Sequence, residues 1–262
     1  MDSALSGLTI IEIPGGVATR YCGHLFAAHG ATVLQLGKPS DTAVGYGGAG
    51  SAAYASWLDS GKQRIGSYAD AAKHRITLVI AGQDAASVGA ADAAIRSAGL
   101  DGAIRLGLTW FAPDGPYRDW IGNDGVIQAM SAVSYATGAK DGAPMLPRGH
   151  APQAIAGATA FIAAMGALLG RQNGWEGRTI DVNILEANLC LSESGAASVA
   201  LTGDRTVRRG VNRFTPTFPG GIYAASDGWI GVTALTPPQW RSLCDMIGHS
   251  ELARNPAHLV SL

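Results

Sequence analysis

The polar side chains around a turn that becomes a long helix, in the middle of the chain, are the first candidates for chemistry, because loops on rigid elements usually carry the catalytic groups. His150 and Gln153 stand at the head of a small-residue stretch, Gly149 to Ala167. Asp124 opens an apolar-periodic stretch upstream. His150 is a candidate general base and Asp124 a candidate acid or base. Each has a bland alternative: a histidine near Pro152 that packs, and an aspartate that caps a helix N-terminus. Gln153 cannot ionise and is a very poor nucleophile. Further upstream, Lys62 and Arg64 follow Ser60-Gly61; they could hold phosphates or simply form a solvated turn. Gly15-Gly16 closes an apolar run, where turn amides and a helix N-terminus receive anions. His24 and His29 fall on the helix that follows and read as packing or surface residues. Asp141 reads as a loop-turn residue. Cys22, Cys190 and Cys244 lie far apart, with no CxxC and no Cys/His pair at ligand spacing, so no metal site is expected.

These residues need a frame. Leu8 to Ile13, then Pro14-Gly15-Gly16, reads as a buried strand and a glycine turn. Ala18 to His29 reads as a helix with Gly30 as its stop, and Ala31 to Leu36 as a second strand. This βαβ unit points to an α/β protein with a Rossmann-like, doubly wound parallel sheet. The turn does not spell GxGxxG and no acid ends the second strand, which argues against a dinucleotide site. Residues 40–56 read as a surface loop. Further strands are expected at 76–80, 104–110 and 179–182, and helices at 85–98, 124–136, 184–201 and 237–247. Thr236 is the expected N-cap of the last helix. Phe111 to Tyr117 is a sharp loop after a strand, where open α/β sheets bind ligands. Residues 222–232 read as a hairpin around Asp227-Gly228. The division expected is a large domain over 1–204, a linker over 205–221 and a partial, smaller α+β domain over 222–262.

Hydrophobic residues make up 47% of the 262 and charged ones only 15%, with a formal net charge of -1. That is enough apolar material for a sizeable core and too little basic charge for a nucleic-acid partner. Unpaired cysteines fit a reducing cytoplasm. No run of about 18 apolar residues stands out in the sequence, so no membrane span is expected.

Several stretches taken together resemble the family III CoA-transferases, a group that includes the α-methylacyl-CoA racemases. They are Leu5-Ser6-Gly7-Leu8, Leu25 to Val33, Ser60-Gly61-Lys62, Phe111 to Tyr117, Gln128 to Ser131 with Thr137-Gly138, Gly177 to Ala187, and Tyr223 to Trp229. Each is weak alone; seven in order and register are specific. The resemblance implies acyl-CoA as substrate, no tightly bound cofactor, and an interlocked homodimer. It places coenzyme A contacts on Gly15, Gly16 and Val17, on Lys38, and on Lys62, with the two lysines as the phosphate cations.

The chain also departs from the family. Transferases of this group use one aspartate, four residues before a glycine at the head of the small-residue helix, as the nucleophile that forms a mixed anhydride. Counting back from Gly157, that position holds Gln153. The racemases pair the same aspartate with a histidine that precedes Asp124, and here that histidine is Asn123. Family members are longer, and their last segment returns to the large domain; that return is absent here. The expectation is therefore a CoA-transferase-family protein that works as part of a larger or split protein. The alternatives are a degenerate acyl-CoA-binding module and, with least support, a racemase using Asp124 or His150. The expected partners are acyl-CoA and a homo-oligomer or a second CoA-transferase-like domain.

Overall fold

The structure, a computed structural model, describes residues 3–13, 15–37, 49–177, 179–203, 205, 207–213 and 219–255. Lys38, named above as a phosphate cation, and residues 256–262 lie outside the described residues. The chain separates into two units. The first comprises Met1–Ser134 with Leu146–Gly203, and the second Tyr135–Met145 with Asp204–Leu262.

The first unit is built on a sheet of β1 (Thr9–Glu12), β2 (Thr32–Leu36), β3 (Gln63–Ile65), β4 (Leu78–Gln83), β5 (Ile104–Thr109) and β6 (Thr179–Asn183). The order is β3-β2-β1-β4-β5-β6 and all five pairings are parallel. This is the doubly wound arrangement the βαβ pattern predicts, and the strand order reverses between β1 and β4. Adjacent residues serve opposite faces. Ile10, Leu78, Ile80, Leu106 and Leu108 join one core, while Ile11 and Val79 join the other. Strands covered on both sides read as continuous apolar runs, which is why β1, β4 and β5 are legible in sequence.

The helices are α1 (Gly16–Ala28), α2 (Ala49–Leu58), α3 (Tyr68–Ala71), α4 (Ala85–Ser97), α5 (Asp124–Met130), α6 (Val133–Ala136), α7 (Ala151–Gln172), α8 (Ile184–Leu189), α9 (Glu193–Thr202) and α10 (Pro237–Met246). Side chains of α1 and α7 share the first core; those of α3 and α4 share the second. Contact between α1 and α7 is close because α7 offers Ala156, Gly157, Ala160 and Ala164 along one buried face. A Cβ at Gly157 would come within 2.6 Å of the Ala18 carbonyl oxygen. Phe26 and Phe161 meet edge to face at 4.7 Å in the same layer.

Several expectations change. Part of the surface loop read at 40–56 is α2, an Ala/Gly/Ser helix with almost no amphipathic period to betray it. The turn at Lys62 leads into β3, an edge strand of three residues that is too short for a pattern. The helix expected over 124–136 breaks at Ala132, whose φ is 62°, and the one over 184–201 breaks at a 3-10 turn, Cys190–Ser192. By length and composition α7 is apolar enough to cross a membrane, contrary to the sequence reading. Its alanine face is nevertheless packed against α1 inside the unit, as expected of a core helix.

In the second unit, β7 (Gly220–Ala225) and β8 (Gly228–Thr233) form the antiparallel hairpin around Asp227-Gly228. α10 starts at a complete capping box, Thr236 with Gln239. Residues 135–145, read as part of the large domain, group here because Arg208 holds them. Its guanidinium donates to the carbonyls of Tyr135, Ala139 and Gly142 and lies over the Tyr135 ring.

Candidate functional site

The reversal between β1 and β4 opens a crevice at the carboxyl ends of the strands, where sheets of this kind bind ligands. The glycine turn after β1 lines it. Gly15 leaves no room for a side chain, since a Cβ there would sit 2.3 Å from the Gly82 carbonyl oxygen at the end of β4. Gly16 has a φ of +62°, and a Cβ there would meet the amides of Gln83 and Gln153 at 2.5 and 2.8 Å. The turn is therefore closed by two glutamine side chains from different elements. Gln83 also lines a cleft of about 470 Å³ with Asp84, Trp110, Arg118, Trp120 and Gly122.

Gln153 lies in the first turn of α7 and is 5% exposed. Its Oε1 accepts from the Val17 amide at 2.8 Å, and its Nε2 donates to Asp124 Oδ2 at 2.9 Å. Both ends of the side-chain amide are thus committed. A buried amide satisfied at both ends is fixed in orientation and costs little to bury.

Asp124 does not cap its helix, as the sequence reading allowed. The cap is Asn123, whose Oδ1 accepts from the Val126 amide at 3.0 Å. Asp124, one residue later, turns inward. Its Oδ2 also accepts from His150 Nδ1 at 2.7 Å, and its Oδ1 is buried with no hydrogen-bond partner among the described residues. His150 is the residue just before α7, and its ring lies parallel to Tyr54 of α2, 6.1 Å between centroids and 3° between planes. Burial pushes the Tyr54 phenol above its ordinary value, with Tyr21 and the Asp124 charge adding to the shift. Asp124, His150 and Gln153, distant or only loosely spaced in sequence, form one hydrogen-bonded cluster.

Lys62 does not join it. Lys38 falls outside the described residues. Lys62 is 1% exposed at its side chain, pairs with the fully buried Glu12 at 2.5 Å, and donates to the Arg20 carbonyl oxygen at 2.8 Å. Burial pushes Lys62 down and Glu12 up, each against the attraction of the other. An ammonium held this way is not available to a phosphate, so the cation reading of Lys62 is corrected to a structural one. Gln35 bridges Glu12 to Asp59, and Asp59 takes Arg20 and Arg64. Burial tends to raise the Asp59 carboxyl, but its bonds to Arg20 and Gln35 outweigh that and hold it low. This network ties α1 to β1, β2 and β3 and so fixes the helix whose first turn meets Gln153.

Of the residues that matter here, Gln83 and Tyr54 are new. Gln83 had a signal: it is a polar residue ending an apolar run at the carboxyl edge of the sheet. Tyr54 had none, because its helix was not visible.

Comparison with known proteins agrees with this fold. The chain resembles a CAIB/BAIF family protein from Brucella suis, with a TM-score of 0.73 and 22% identity over 98% of this chain and 72% of that one. Among curated relatives, a succinyl-CoA–D-citramalate CoA-transferase of Chloroflexus aurantiacus is 31% identical over 59% of this chain and 39% of its own length. A succinate–glutarate CoA-transferase of Agrobacterium fabrum is 26% identical over 95% of this chain and 68% of its own. The alpha subunit of a Chloroflexus aurantiacus succinyl-CoA–L-malate CoA-transferase is 26% identical over 95% and 62%. The chain thus spans between about two fifths and two thirds of the curated relatives it matches. Residues 101–259 match the model of CoA-transferase family III, and the chain belongs to that family.

Proposed function

We propose that this chain is the acyl-CoA-binding part of a larger or split CoA-transferase, which moves CoA between an acyl-CoA and a carboxylate when a second CoA-transferase-like domain or chain supplies the nucleophile. The carrying observation is Gln153. It stands at the head of α7, at the crevice beside the glycine turn, with both amide atoms bonded and no ionisable group of its own. Covalent transfer through an anhydride needs a carboxylate at that point. Coenzyme A in this reading lies along Gly15, Gly16 and Val17 and the cleft lined by Gln83, Arg118 and Trp120. One relative is named as an alpha subunit, which suits a protein that shares its chemistry between chains. The reading needs no tightly bound cofactor. Cys22, Cys190 and Cys244 are free thiols, which fits a cytoplasmic location.

A racemase reading is disfavoured. Asn123, at the position of the family's histidine, is used up as a helix cap.

Calorimetric titration with coenzyme A, followed by incubation with acetyl-CoA and intact-mass spectrometry, tests the proposal. Binding without a covalent acyl or CoA adduct is expected. An adduct on any carboxylate of this chain, or no binding at all, overturns it.

A further inference from the structure

We infer that the first unit carries a second binding site, at the opposite end of the sheet from the crevice, for an organic monocarboxylate with an apolar body. A cavity of about 800 Å³ opens where β1 and β4 begin. Its size falls in the range of small-molecule sites. Arg75, just before β4, and Arg171, in the last turn of α7, both line it. No acidic residue lines it among the described residues. Gln83 of the candidate site is the last residue of β4. Six residues of strand at about 3.3 Å each put roughly 20 Å between the two places. The inference stands whether or not coenzyme A binds at the glycine turn.

Neither guanidinium forms a hydrogen bond or an ion pair among the described residues. Arg171 is not needed to close its own helix. The carbonyls of Leu169, Gly170 and Arg171 are already taken by the amides of Asn173, Gly174 and Trp175 and by the Asn173 side chain. The rest of the wall is largely apolar. Leu8, Met165 and Leu168 lean on the first core and Ile76 on the second. Two arginine forks match the two oxygens of a carboxylate, and the apolar wall takes the body attached to it. The helices that run to this end of the sheet finish there, α4 at Ser97 and α7 at Gln172. Their carbonyl ends disfavour a dense negative charge, and the lining includes no helix N-terminus to offer amides to a phosphate. A single charge spread over two oxygens is the better match.

Calorimetric titration with octanoate tests the site, with octanamide, propionate and octyl phosphate as comparison ligands and a melting curve for each variant. Octanoate should bind in one saturable step. Octanamide lacks the charge and propionate the apolar body, so each should bind about tenfold or more weakly. Arg75→Gln and Arg171→Gln should each weaken octanoate about tenfold, the fold-change of one lost charge-assisted hydrogen bond. Both should melt as the wild type does, because neither side chain is bonded in the fold. Titration with coenzyme A should be unaffected by either change. Absence of saturable octanoate binding overturns the inference, and so does equal affinity for octanamide. Tighter binding of octyl phosphate overturns the carboxylate head. Undiminished octanoate affinity in a folded Arg75→Gln/Arg171→Gln protein overturns the site itself.

Discussion

Replacing Gln153 with aspartate is the obvious way to restore a family nucleophile, and the structure says what it should cost. The native amide donates to Asp124 and accepts from Val17, with both residues 153 and 124 buried. In Gln153→Asp, the donor is replaced by a second carboxylate beside the first. Losing a hydrogen bond to a charged group costs about 1.5–3 kcal/mol. Two like charges about 4 Å apart repel by about 4 kcal/mol at an effective dielectric constant near 20. The introduced carboxyl escapes that repulsion by keeping its proton. Doing so at pH 7, about three units above an ordinary aspartate, also costs about 4 kcal/mol. Its folded pKa is therefore raised above its unfolded value. The sign follows: this component is absent below about pH 4 and grows as pH rises toward 7. The retained proton also restores a donor to Asp124, so the total at pH 7 is about 4 kcal/mol, a large part of the stability of a marginally stable domain. Denaturant unfolding at pH 4.5, 6 and 7.5 measures it. The stability gap between wild type and Gln153→Asp should widen with pH. In Asp124→Asn/Gln153→Asp, with one carboxylate again, the gap should be small and flat. A gap for Gln153→Asp that is equal at pH 4.5 and 7.5, or narrows, refutes the account of Gln153 as a neutral clamp on a charged neighbour.

Other expectations concern the frame. Lys62→Ala strands the buried Glu12 carboxylate and should cost about 3–5 kcal/mol in chemical denaturation, whereas Glu12→Leu/Lys62→Met should recover most of the loss. A fully stable Lys62→Ala protein with weakened CoA binding would restore the phosphate reading of that lysine. Gly15→Ala forces the turn off the end of β4 and should both destabilise the fold and abolish CoA binding by calorimetry; unchanged binding would remove the turn from the site. Gly157→Ala pushes α7 from α1 at the Ala18 carbonyl and should lower stability by about 1–3 kcal/mol, the usual range for overpacking, despite the better helix propensity of alanine. A rise in melting temperature would show that the two helices have slack.

What the sequence disclosed follows from the range over which each signal acts. Buried parallel strands announce themselves locally, because β1, β4 and β5 must be apolar on both faces. The glycine turn is equally local. α2 and β3 are not legible, one lacking an apolar period and the other lacking length. Lys62 misled for a different reason. A cation after Ser-Gly looks solvated or phosphate-facing, and nothing near it in sequence reveals that Glu12 waits at the end of β1, fifty residues back. Asp124 was ambiguous for a similar reason, since one residue separates the capping position, taken by Asn123, from one that points into the site.

That single-residue distinction bears on the chemistry. With a capping role Asp124 would be an outward, solvated acid and the site would hold no carboxylate at all. Turned inward, it puts one carboxylate within hydrogen-bond reach of the side chain at the head of α7. The site therefore keeps one negative charge, carried on α5 instead of α7, and gives up the freedom of that charge to attack. Its Oδ2 is bound by an imidazole and an amide. A carboxylate held so firmly makes a poor partner for a covalent anhydride. The substitution at Gln153 and the inward turn of Asp124 are thus one arrangement: the amide's Nε2 must find an acceptor and Asp124 must find donors, and each supplies the other. An ionised aspartate at position 153 would break it from both sides.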